Sequence, residues 1–325
     1  MPACTGTFLL SRLSKQKSSA NAENSWTAGF RPGLFFSLCI ILSIQELPRN
    51  PYGRICVGTK RKLMLRDAGF FEKRGFVVEI EATPRCNLAC PFCDHRPGGE
   101  ASGPDRPEVD LDAVVPFLSG TFVGRKFSVL VNGGEPTLRP DLPDFVEKAM
   151  KIPGASIEIY TNMTAPDEYY ARLLCAGADV IPTFHEEAFS PEDFAEKMTR
   201  CGIQRALIPC TPVNMVRAAE LLQKIPDAEF EPLEDRAPSL LESAAVTELD
   251  PRFAGKIRTL LKTRTVPERI CRSGERYLYV DGDCSVRRCM FTDEPPVWDV
   301  RKGPMDLGVL SEPVLCREWC TYEFR

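Results

Sequence analysis

The sequence predicts an α/β fold: an open, partial (βα)6 barrel with a small cysteine-rich α+β extension at its C-terminal end. From about residue 76, apolar strand-like runs alternate with amphipathic helical runs, which is the pattern of parallel strands joined by crossover helices. The alternation supplies six strands, too few for a closed eight-stranded barrel and suited to an open one. The length of 325 residues accommodates one large domain with a small appendage.

Each element rests on a local pattern along the chain. The expected strands are short apolar runs at Phe76–Ile80, Phe127–Val131, Ser156–Tyr160, Val180–Phe184, Ala206–Ile208 and Glu229–Pro232. The expected helices lie between them, at Leu111–Phe117, Leu142–Met150, Glu168–Cys175, Pro191–Cys201 and Met215–Ile225. Because such folds gather their active sites where loops leave the carboxyl ends of the strands, we expect chemistry in the segments that follow the strands.

The chain divides into three predicted regions. Residues 1–63 show no convincing periodicity, so we expect a targeting segment or sequence outside the working protein, with Met64 as an alternative start. The apolar run 34–44 is shorter than the roughly 20 residues that a membrane-spanning helix needs. We assign residues 64–250 to the barrel core and residues 251–325 to the extension.

Composition and charge narrow the class of function. The formal net charge of −4 gives no general attraction to nucleic acid or to anionic membranes. With two histidines in the whole chain, we do not expect histidine-based metal sites or histidine-centred nucleophiles. The 14 cysteines concentrate at the two ends of the core, which favours metal ligation in a reducing compartment over a disulfide framework. We therefore expect a cytoplasmic protein that binds no nucleic acid and spans no membrane.

The first motif is the run Cys-Asn-Leu-Ala-Cys-Pro-Phe-Cys, which places Cys86, Cys90 and Cys93 just after the first expected strand. Three thiolates within eight residues can hold three irons of a four-iron cluster and leave the fourth iron without a protein ligand. The alternatives are a zinc knuckle and a pair of core thiols with a bystander. The only local fourth ligand for zinc is His95, which follows Cys93 too closely for ordinary ligand spacing.

The second motif is Gly133-Gly134-Glu135-Pro136, about 40 residues further on and just past the second expected strand. Alone it is typical of a strand-to-helix turn, with glycines that let the backbone approach a ligand. Together the two motifs resemble the signature of the radical S-adenosylmethionine (SAM) superfamily. The resemblance implies a TIM-like partial barrel, a 4Fe-4S cluster on the three cysteines and a SAM amino group held at Gly133, Gly134, Glu135 and Pro136.

The resemblance extends more weakly to other strand ends. Thr161 and Asn162 stand where many members carry Thr-Asn-Gly near the SAM ribose, with Met163 in place of the glycine. Thr183 stands where the family often has a serine near the SAM carboxylate, and Phe92 resembles the aromatic residue near the adenine. His185 lies two residues after Thr183 and is either a substrate-facing group or an ordinary loop histidine.

The third group of motifs lies in the extension. A β-hairpin with a cysteine on each arm is expected from Cys271 to Cys289, followed by the run Cys316-Arg-Glu-Trp-Cys320. This resembles the auxiliary-cluster extensions called SPASM or, when short, twitch. Five cysteines instead of seven favour one auxiliary 4Fe-4S cluster, on Cys271, Cys289, Cys316 and Cys320, with Cys284 as a substitute ligand or a bystander. Structural zinc on the same thiolates is the alternative.

The resemblance implies a reaction. SAM would be cleaved to a 5′-deoxyadenosyl radical that removes a substrate hydrogen atom, and the auxiliary cluster would take up a second electron. We expect dehydrogenation or bond formation on a small molecule, with electrons from a reducing partner such as flavodoxin or ferredoxin. Two alternatives stay open: a maturase that modifies a ribosomally made peptide, and an activating or accessory cluster protein for a partner enzyme.

Overall fold

The computed structural model describes residues 74–93, 105–211, 213–214, 217–225, 227–231, 269–290, 294–310 and 312–316. The predicted N-terminal region 1–63 lies outside the described residues, and so do His95 and Cys320.

The predicted alternation of strands and helices is confirmed. The barrel strands are β1 Phe76–Thr83, β2 Phe127–Gly133, β3 Ala155–Thr161, β4 Asp179–Pro182, β5 Ala206–Pro209 and β6 Ala228–Glu231. The helices are α1 Leu111–Thr121, α2 Leu142–Ala149, α3 Asp167–Cys175, α4 Pro191–Cys201 and α5 Ala218–Lys224. In the described part of the chain, no helix is both long and apolar enough to cross a membrane.

Parallel pairing in chain order gives the open barrel. Strands β1 to β4 are neighbours in sequence order, and β5 pairs in parallel with β6. The two groups are linked by an isolated parallel bridge between Thr183 and Leu207. The predicted fourth strand therefore ends earlier than Phe184, because Thr183 still donates its N–H to the Thr161 carbonyl of β3 whereas Phe184 donates to the Leu207 carbonyl of β5.

Strand β1 is buried on both faces because it lies between the helix layer and the barrel interior. Phe76, Val78 and Ile80 belong to the main hydrophobic core with residues of the helices. The alternating positions carry Glu79 and Glu81 onto the opposite face. Both carboxylates are almost completely buried, so the interior of the barrel is polar and needs hydrogen-bond donors.

The described extension consists of short strands and 3₁₀ turns. Its strands are β7 Arg269–Cys271, β8 Tyr277–Val280, β9 Ser285–Arg287, β10 Trp298–Asp299 and β11 Val314–Cys316, and its 3₁₀ helices are Val300–Lys302 and Leu307–Leu310. The expected hairpin forms as the antiparallel pair β8–β9, but the prediction of a cysteine on each arm is wrong: Cys271 lies on β7, which pairs with β11, and Cys289 follows β9. Strand β8 also pairs in parallel with β1, so the hairpin continues the barrel sheet and covers an edge that would otherwise be unpaired.

Side chains of β8 supply donors to the barrel interior. The hydroxyl of Tyr277 donates to Glu79 at 2.8 Å, and the hydroxyl of Tyr279 donates to Glu81 at 3.1 Å. Arg106 adds an ion pair to Glu81 at 3.0 Å. The extension is thus joined to the barrel by both backbone pairing and buried side-chain hydrogen bonds.

Candidate active site

The three cysteines of the first motif lie in the loop after β1 and line one cavity of about 210 Å³. Cys90 is buried, while Cys86 and Cys93 are half-buried. The sulfur of Cys86 accepts the backbone N–H of Leu88 at 3.4 Å, and the N–H of Cys93 donates to the carbonyl of Cys90 at 3.1 Å. Three thiols on one wall of a cavity, with one sulfur already receiving an N–H, form a donor set suited to a metal cluster.

Burial makes two of these thiols, Cys86 and Cys90, poor acids without a metal. It raises the pKa of Cys86, and together with the nearby carboxylate of Glu187 it raises the pKa of Cys90 to about 12. A thiolate is the form that binds metal, so the negative charge has to be stabilised by a bound cation. The site therefore favours thiolates with a metal cluster and neutral thiols without one.

The glycine pair at the end of β2 packs directly against the segment that leads into Cys86. The N–H of Gly134 donates to the carbonyl of Thr83 at 2.7 Å, and the N–H of Glu135 donates to the carbonyl of Arg85 at 2.7 Å. A Cβ on Gly134 would overlap the Arg85 carbonyl, and Gly133 has a φ of +121° that favours glycine. The glycines thus permit a close approach between two backbones, and this approach joins the two motifs.

Glu135 is 1 % exposed and lines the cavity. Its Oε1 accepts the Thr137 N–H at 3.0 Å and the hydroxyls of Thr137 at 2.6 Å and Thr161 at 2.7 Å. Its Oε2 accepts the Asn162 N–H at 2.6 Å. Because a carboxylate offers about four lone-pair positions, two on each oxygen, Oε2 keeps capacity for another donor, such as an ammonium group. Burial raises the pKa of Glu135 despite these hydrogen bonds, so an added cation would stabilise its charge.

The carboxylate of Glu135 also begins a turn. It caps the 3₁₀ helix Pro136–Leu138 by accepting the Thr137 N–H. Pro136 is the first residue of this helix and is buried, and it is not among the residues that line the cavity. The ligand-binding and turn-forming interpretations of the motif are therefore compatible, because different lone pairs serve them.

The end of β3 is tied to the cysteine loop. The side-chain amide of Asn162 donates to Asn87 at 2.8 Å, and the amide of Asn87 donates to the Thr164 hydroxyl at 2.8 Å. Met163, which stands where the resembling sequences have glycine, adopts a left-handed φ of 65° and is fully buried. The backbone conformation of a glycine is thus retained by a methionine, held in place by its N–H bond to the Thr161 hydroxyl at 3.1 Å.

The end of β4 completes the cavity wall. Thr183 lines the cavity, and its N–H donates to the Thr161 carbonyl at 2.8 Å. His185 also lines it and brings Nδ1 to 3.2 Å from Sγ of Cys90. Phe92 is not among the lining residues; its ring stacks on His185 with a centroid separation of 6.2 Å.

Sequence reasoning missed three polar groups at this site. Asn132 and Tyr160 line the cavity from β2 and β3, and Asn87 bridges the cysteine loop to β3. Asn132 and Tyr160 immediately precede recognised motif residues on interior-facing positions. The period-two alternation of a strand was the signal that could have identified them.

The extension cysteines divide into two kinds. Cys271 is buried and its sulfur accepts the Ser273 N–H at 3.4 Å, while Cys289 is buried after β9. The β7–β11 ladder pairs Val314 with Cys271 and Cys316 with Arg269, which places positions 271 and 316 on the same face. Cys320 lies outside the described residues.

Cys284 belongs to the core of the barrel. It has a φ of 72° in the turn between β8 and β9, and its sulfur accepts the Asp110 N–H at 3.2 Å. It packs in the main hydrophobic core, whereas Cys271 packs in a separate cluster with Val77, Leu130 and Tyr277. This packing favours the bystander interpretation of Cys284 over the ligand interpretation.

Fold and site together define an open α/β barrel with three cysteine thiols gathered in one cavity at the carboxyl ends of its strands. A family model described as Radical SAM superfamily matches residues 80–225, the segment from β1 to the end of α5. A solved structure of histidine-tagged anSMEcpe with bound AdoMet has the same fold, with a TM-score of 0.52 at 14% identity over 73% of this chain and 80% of that one. The chain therefore carries a radical SAM domain.

Two curated relatives share the sequence pattern. The chain is 30% identical over 149 residues to a probable GTP 3',8-cyclase of Methanothermobacter thermautotrophicus, which covers 43% of this chain and 47% of that protein. It is 29% identical over 174 residues to a probable GTP 3',8-cyclase of Methanopyrus kandleri, which covers 50% of this chain and 53% of that protein. The chain thus spans about half the length of the curated relatives it matches.

Proposed function

We propose that this protein is a radical SAM oxidoreductase that binds a 4Fe-4S cluster on Cys86, Cys90 and Cys93. The observation that carries the proposal is that these three thiols share one cavity with the buried carboxylate of Glu135. When bound, the reduced cluster supplies the electron that cleaves SAM and yields the 5′-deoxyadenosyl radical. The protein residues bind and orient the SAM and exclude water from it.

The residues at the strand ends would hold SAM from three sides. Oε2 of Glu135 is placed to accept a hydrogen bond from the ammonium of the methionine part. Thr161, Asn162 and Thr183 line the same cavity. Because the Thr161 hydroxyl already donates to Glu135, Thr183 and Asn162 would supply the polar contacts to the carboxylate and the ribose. Phe92 does not line the cavity and its ring stacks on His185, so a supporting role fits Phe92 better than a contact with the adenine.

For the extension we propose one auxiliary 4Fe-4S cluster on Cys271, Cys289, Cys316 and Cys320. Two features of the described residues support it. The Cys271 sulfur receives a backbone N–H, as the Cys86 sulfur does. The β7–β11 register also puts position 316 on the Cys271 face. A cluster here would accept the second electron of a two-electron oxidation, whereas structural zinc would not.

The proposed substrate is a small molecule that undergoes dehydrogenation or bond formation. Cyclisation of a nucleotide is the second candidate, because the curated relatives are named GTP 3',8-cyclases. Peptide maturation and activation of a partner enzyme are the remaining alternatives.

We propose that the protein acts in the cytoplasm and that a flavodoxin or ferredoxin supplies its electrons. Neither assignment depends on the geometry of the cavity. Both follow from the need for thiolates and for a low-potential electron donor.

SAM cleavage tests the proposal directly. The chain is reconstituted anaerobically with iron and sulfide, reduced, and assayed for 5′-deoxyadenosine. The variant with Cys86, Cys90 and Cys93 replaced by Ala should produce none. Cys175→Ala, which removes an exposed thiol of α3, serves as the matched control and should cleave SAM like the unaltered chain. Formation of 5′-deoxyadenosine by the triple variant would overturn the assignment.

The same assay separates the substrate candidates. Cleavage of SAM without added substrate distinguishes an enzyme from a passive cluster protein. Addition of GTP should leave the yield of 5′-deoxyadenosine unchanged and consume no GTP. A rise in yield together with disappearance of GTP would favour the second candidate.

A further inference from the structure

The sulfur of Cys90 has a side-chain neighbour that neither sequence motif accounts for. Nδ1 of His185 lies 3.2 Å from Sγ of Cys90, within hydrogen-bond distance for a sulfur acceptor. The sulfur of Cys86 accepts the backbone N–H of Leu88 at 3.4 Å, and its side-chain donor, the Asn162 amide, lies further away at 3.9 Å. The contact at Cys90 therefore involves a group that a single substitution can remove.

His185 is held both through its ring and through its backbone. Its ring stacks on Phe92 with an interplanar angle of 9°. Its own carbonyl accepts the N–H groups of Ala188 at 3.0 Å and Phe189 at 3.1 Å, which form a turn after β4. The ring is half-buried and lines the cavity, so its orientation toward Cys90 is set by packing.

The chemistry of an iron-bound cysteine decides the direction of the contact. A thiolate that binds iron carries no proton, so its sulfur can only accept a hydrogen bond. The imidazole must then carry its proton on Nδ1, because a lone pair on Nδ1 would face the negatively charged sulfur. Binding of the cluster would thus select one tautomer of His185.

We propose that His185 donates a hydrogen bond from Nδ1 to the sulfur of cluster-bound Cys90 and thereby raises the reduction potential of the four-iron cluster. This inference rests on the proposed function. Hydrogen bonds to cluster sulfurs are one of the determinants of this potential. The reduced cluster carries one more negative charge than the oxidised cluster, so a donor stabilises the reduced form more. His185 acts through Cys90 and is a positioning residue.

Glu187 provides an opposite effect at the same sulfur. One of its carboxylate oxygens lies within 4.8 Å of both the Cys90 sulfur and a ring nitrogen of His185. A negative charge at this distance disfavours the addition of an electron to the cluster. Glu187 is exposed, so its replacement should disturb the fold little.

A redox titration of the reconstituted holoprotein, followed by electron paramagnetic resonance of the reduced cluster, tests the proposal. At the potential where half of the cluster in the unaltered protein is reduced, His185→Leu should show about a tenfold lower ratio of reduced to oxidised cluster. For one electron, this ratio corresponds to a midpoint potential about 59 mV lower. His185→Asn keeps a side-chain N–H near the position of Nδ1 and should restore most of the ratio. Glu187→Gln should shift the ratio in the opposite direction.

An isotope measurement on the unaltered protein adds a readout that does not depend on a shift of the midpoint potential. The chain has two histidines, so labelling with ¹⁵N-histidine marks His185 and His95 alone. A weak ¹⁵N coupling to the reduced cluster that disappears in His185→Asn supports the hydrogen bond. A strong coupling would mean that His185 is an iron ligand, and no coupling would mean no contact; either result overturns the proposal.

The outcomes separate this inference from the proposed function. An unaltered protein that binds no cluster and releases no 5′-deoxyadenosine would contradict the proposed function. If the unaltered protein binds the cluster and releases 5′-deoxyadenosine, but a fully loaded His185→Leu variant has the same midpoint potential, only the role of His185 is contradicted.

Discussion

In the barrel, the cysteine loop is fixed by contacts with the ends of three other strands. In the described part of the extension, Cys271 is fixed mainly by one two-stranded ladder and one N–H bond to sulfur. The barrel contacts are the backbone hydrogen bonds of Gly134 and Glu135, the amide of Asn162 and the imidazole of His185. A cluster that must leave one iron open for a ligand needs a preformed cavity, whereas a cluster ligated by four cysteines needs only the thiolates.

The two regions also differ in the charge of the side chains around their cysteines. The barrel site places a buried carboxylate, Glu135, on the wall that the thiols share. Cys271 instead packs among Val77, Leu130 and Tyr277. A wall with thiols and a carboxylate suits a bound cofactor that carries an ammonium group, and an apolar wall suits electron transfer without a ligand.

Replacement of Glu135 by Gln should weaken SAM binding by roughly 10- to 100-fold. The lost contact is a charge-assisted hydrogen bond worth about 1.5–3 kcal/mol, and a tenfold change in affinity corresponds to about 1.4 kcal/mol. Titration of SAM into the reconstituted variant, with iron content measured in parallel, gives the affinity. Glu147→Gln, an exposed carboxylate on α2, is the control and should bind SAM like the unaltered chain.

The same substitution should also lower stability, because the amide nitrogen of Gln would face one of the N–H or O–H donors that now reach the carboxylate. Thermal unfolding of both variants without SAM separates this loss from the loss of affinity. If Glu135→Gln binds SAM as tightly as the unaltered chain, the motif Gly133–Pro136 forms a turn and does not bind SAM.

Replacement of Gly134 by Ala should detach the cysteine loop from β2. The added Cβ overlaps the Arg85 carbonyl, and overpacking of this kind costs about 1–3 kcal/mol of unfolding free energy. Gly124→Ala is the matched control: its φ of +67° makes alanine strained, but no atom lies within 4 Å, and it precedes β2 at the opposite end. Both variants should lose stability, and only Gly134→Ala should lose iron from the barrel site. Equal iron content in the two would show that the glycine does not position the loop.

The pH dependence of stability should report on Glu135. Burial raises its pKa above the ordinary value of 4.5, so the folded chain without SAM holds this proton more tightly than the unfolded chain. The free energy of unfolding contributed by Glu135 should therefore fall as pH rises through the raised pKa, and Glu135→Gln should remove this slope. Chemical denaturation between about pH 4 and pH 8 measures it. SAM affinity should show the opposite trend and weaken as pH falls, because only the ionised carboxylate pairs with an ammonium.

Replacement of Cys284 by Ala should have the smallest effect. The loss of one N–H bond to sulfur and of a small buried volume should cost about 1 kcal/mol, with no change in iron content. Cys271→Ala is the partner variant and should lose the auxiliary iron. Loss of iron from Cys284→Ala would make Cys284 a ligand and weaken the separation between the two regions.

Much of the fold could be predicted from the sequence because its strands and helices have local signatures. The pairing of β8 with β1 could not be predicted, because nothing in the run Tyr277–Val280 indicates that it pairs with a strand 200 residues earlier in the chain. The cysteine and glycine motifs could be found by spacing alone. The contacts of His185 with Cys90 and Phe92 could not, because they depend on how the loops after β1 and β4 fold together.

The most direct test of two separate cluster sites is the partition of metal between them. The unaltered chain should bind about eight irons, in two four-iron clusters. Replacement of Cys86, Cys90 and Cys93 by Ala should leave about four irons and no SAM cleavage, and replacement of Cys316 and Cys320 by Ala should leave about four irons with SAM cleavage intact. Zinc in place of iron in the first variant, or loss of SAM cleavage in the second with its barrel iron retained, would contradict the account.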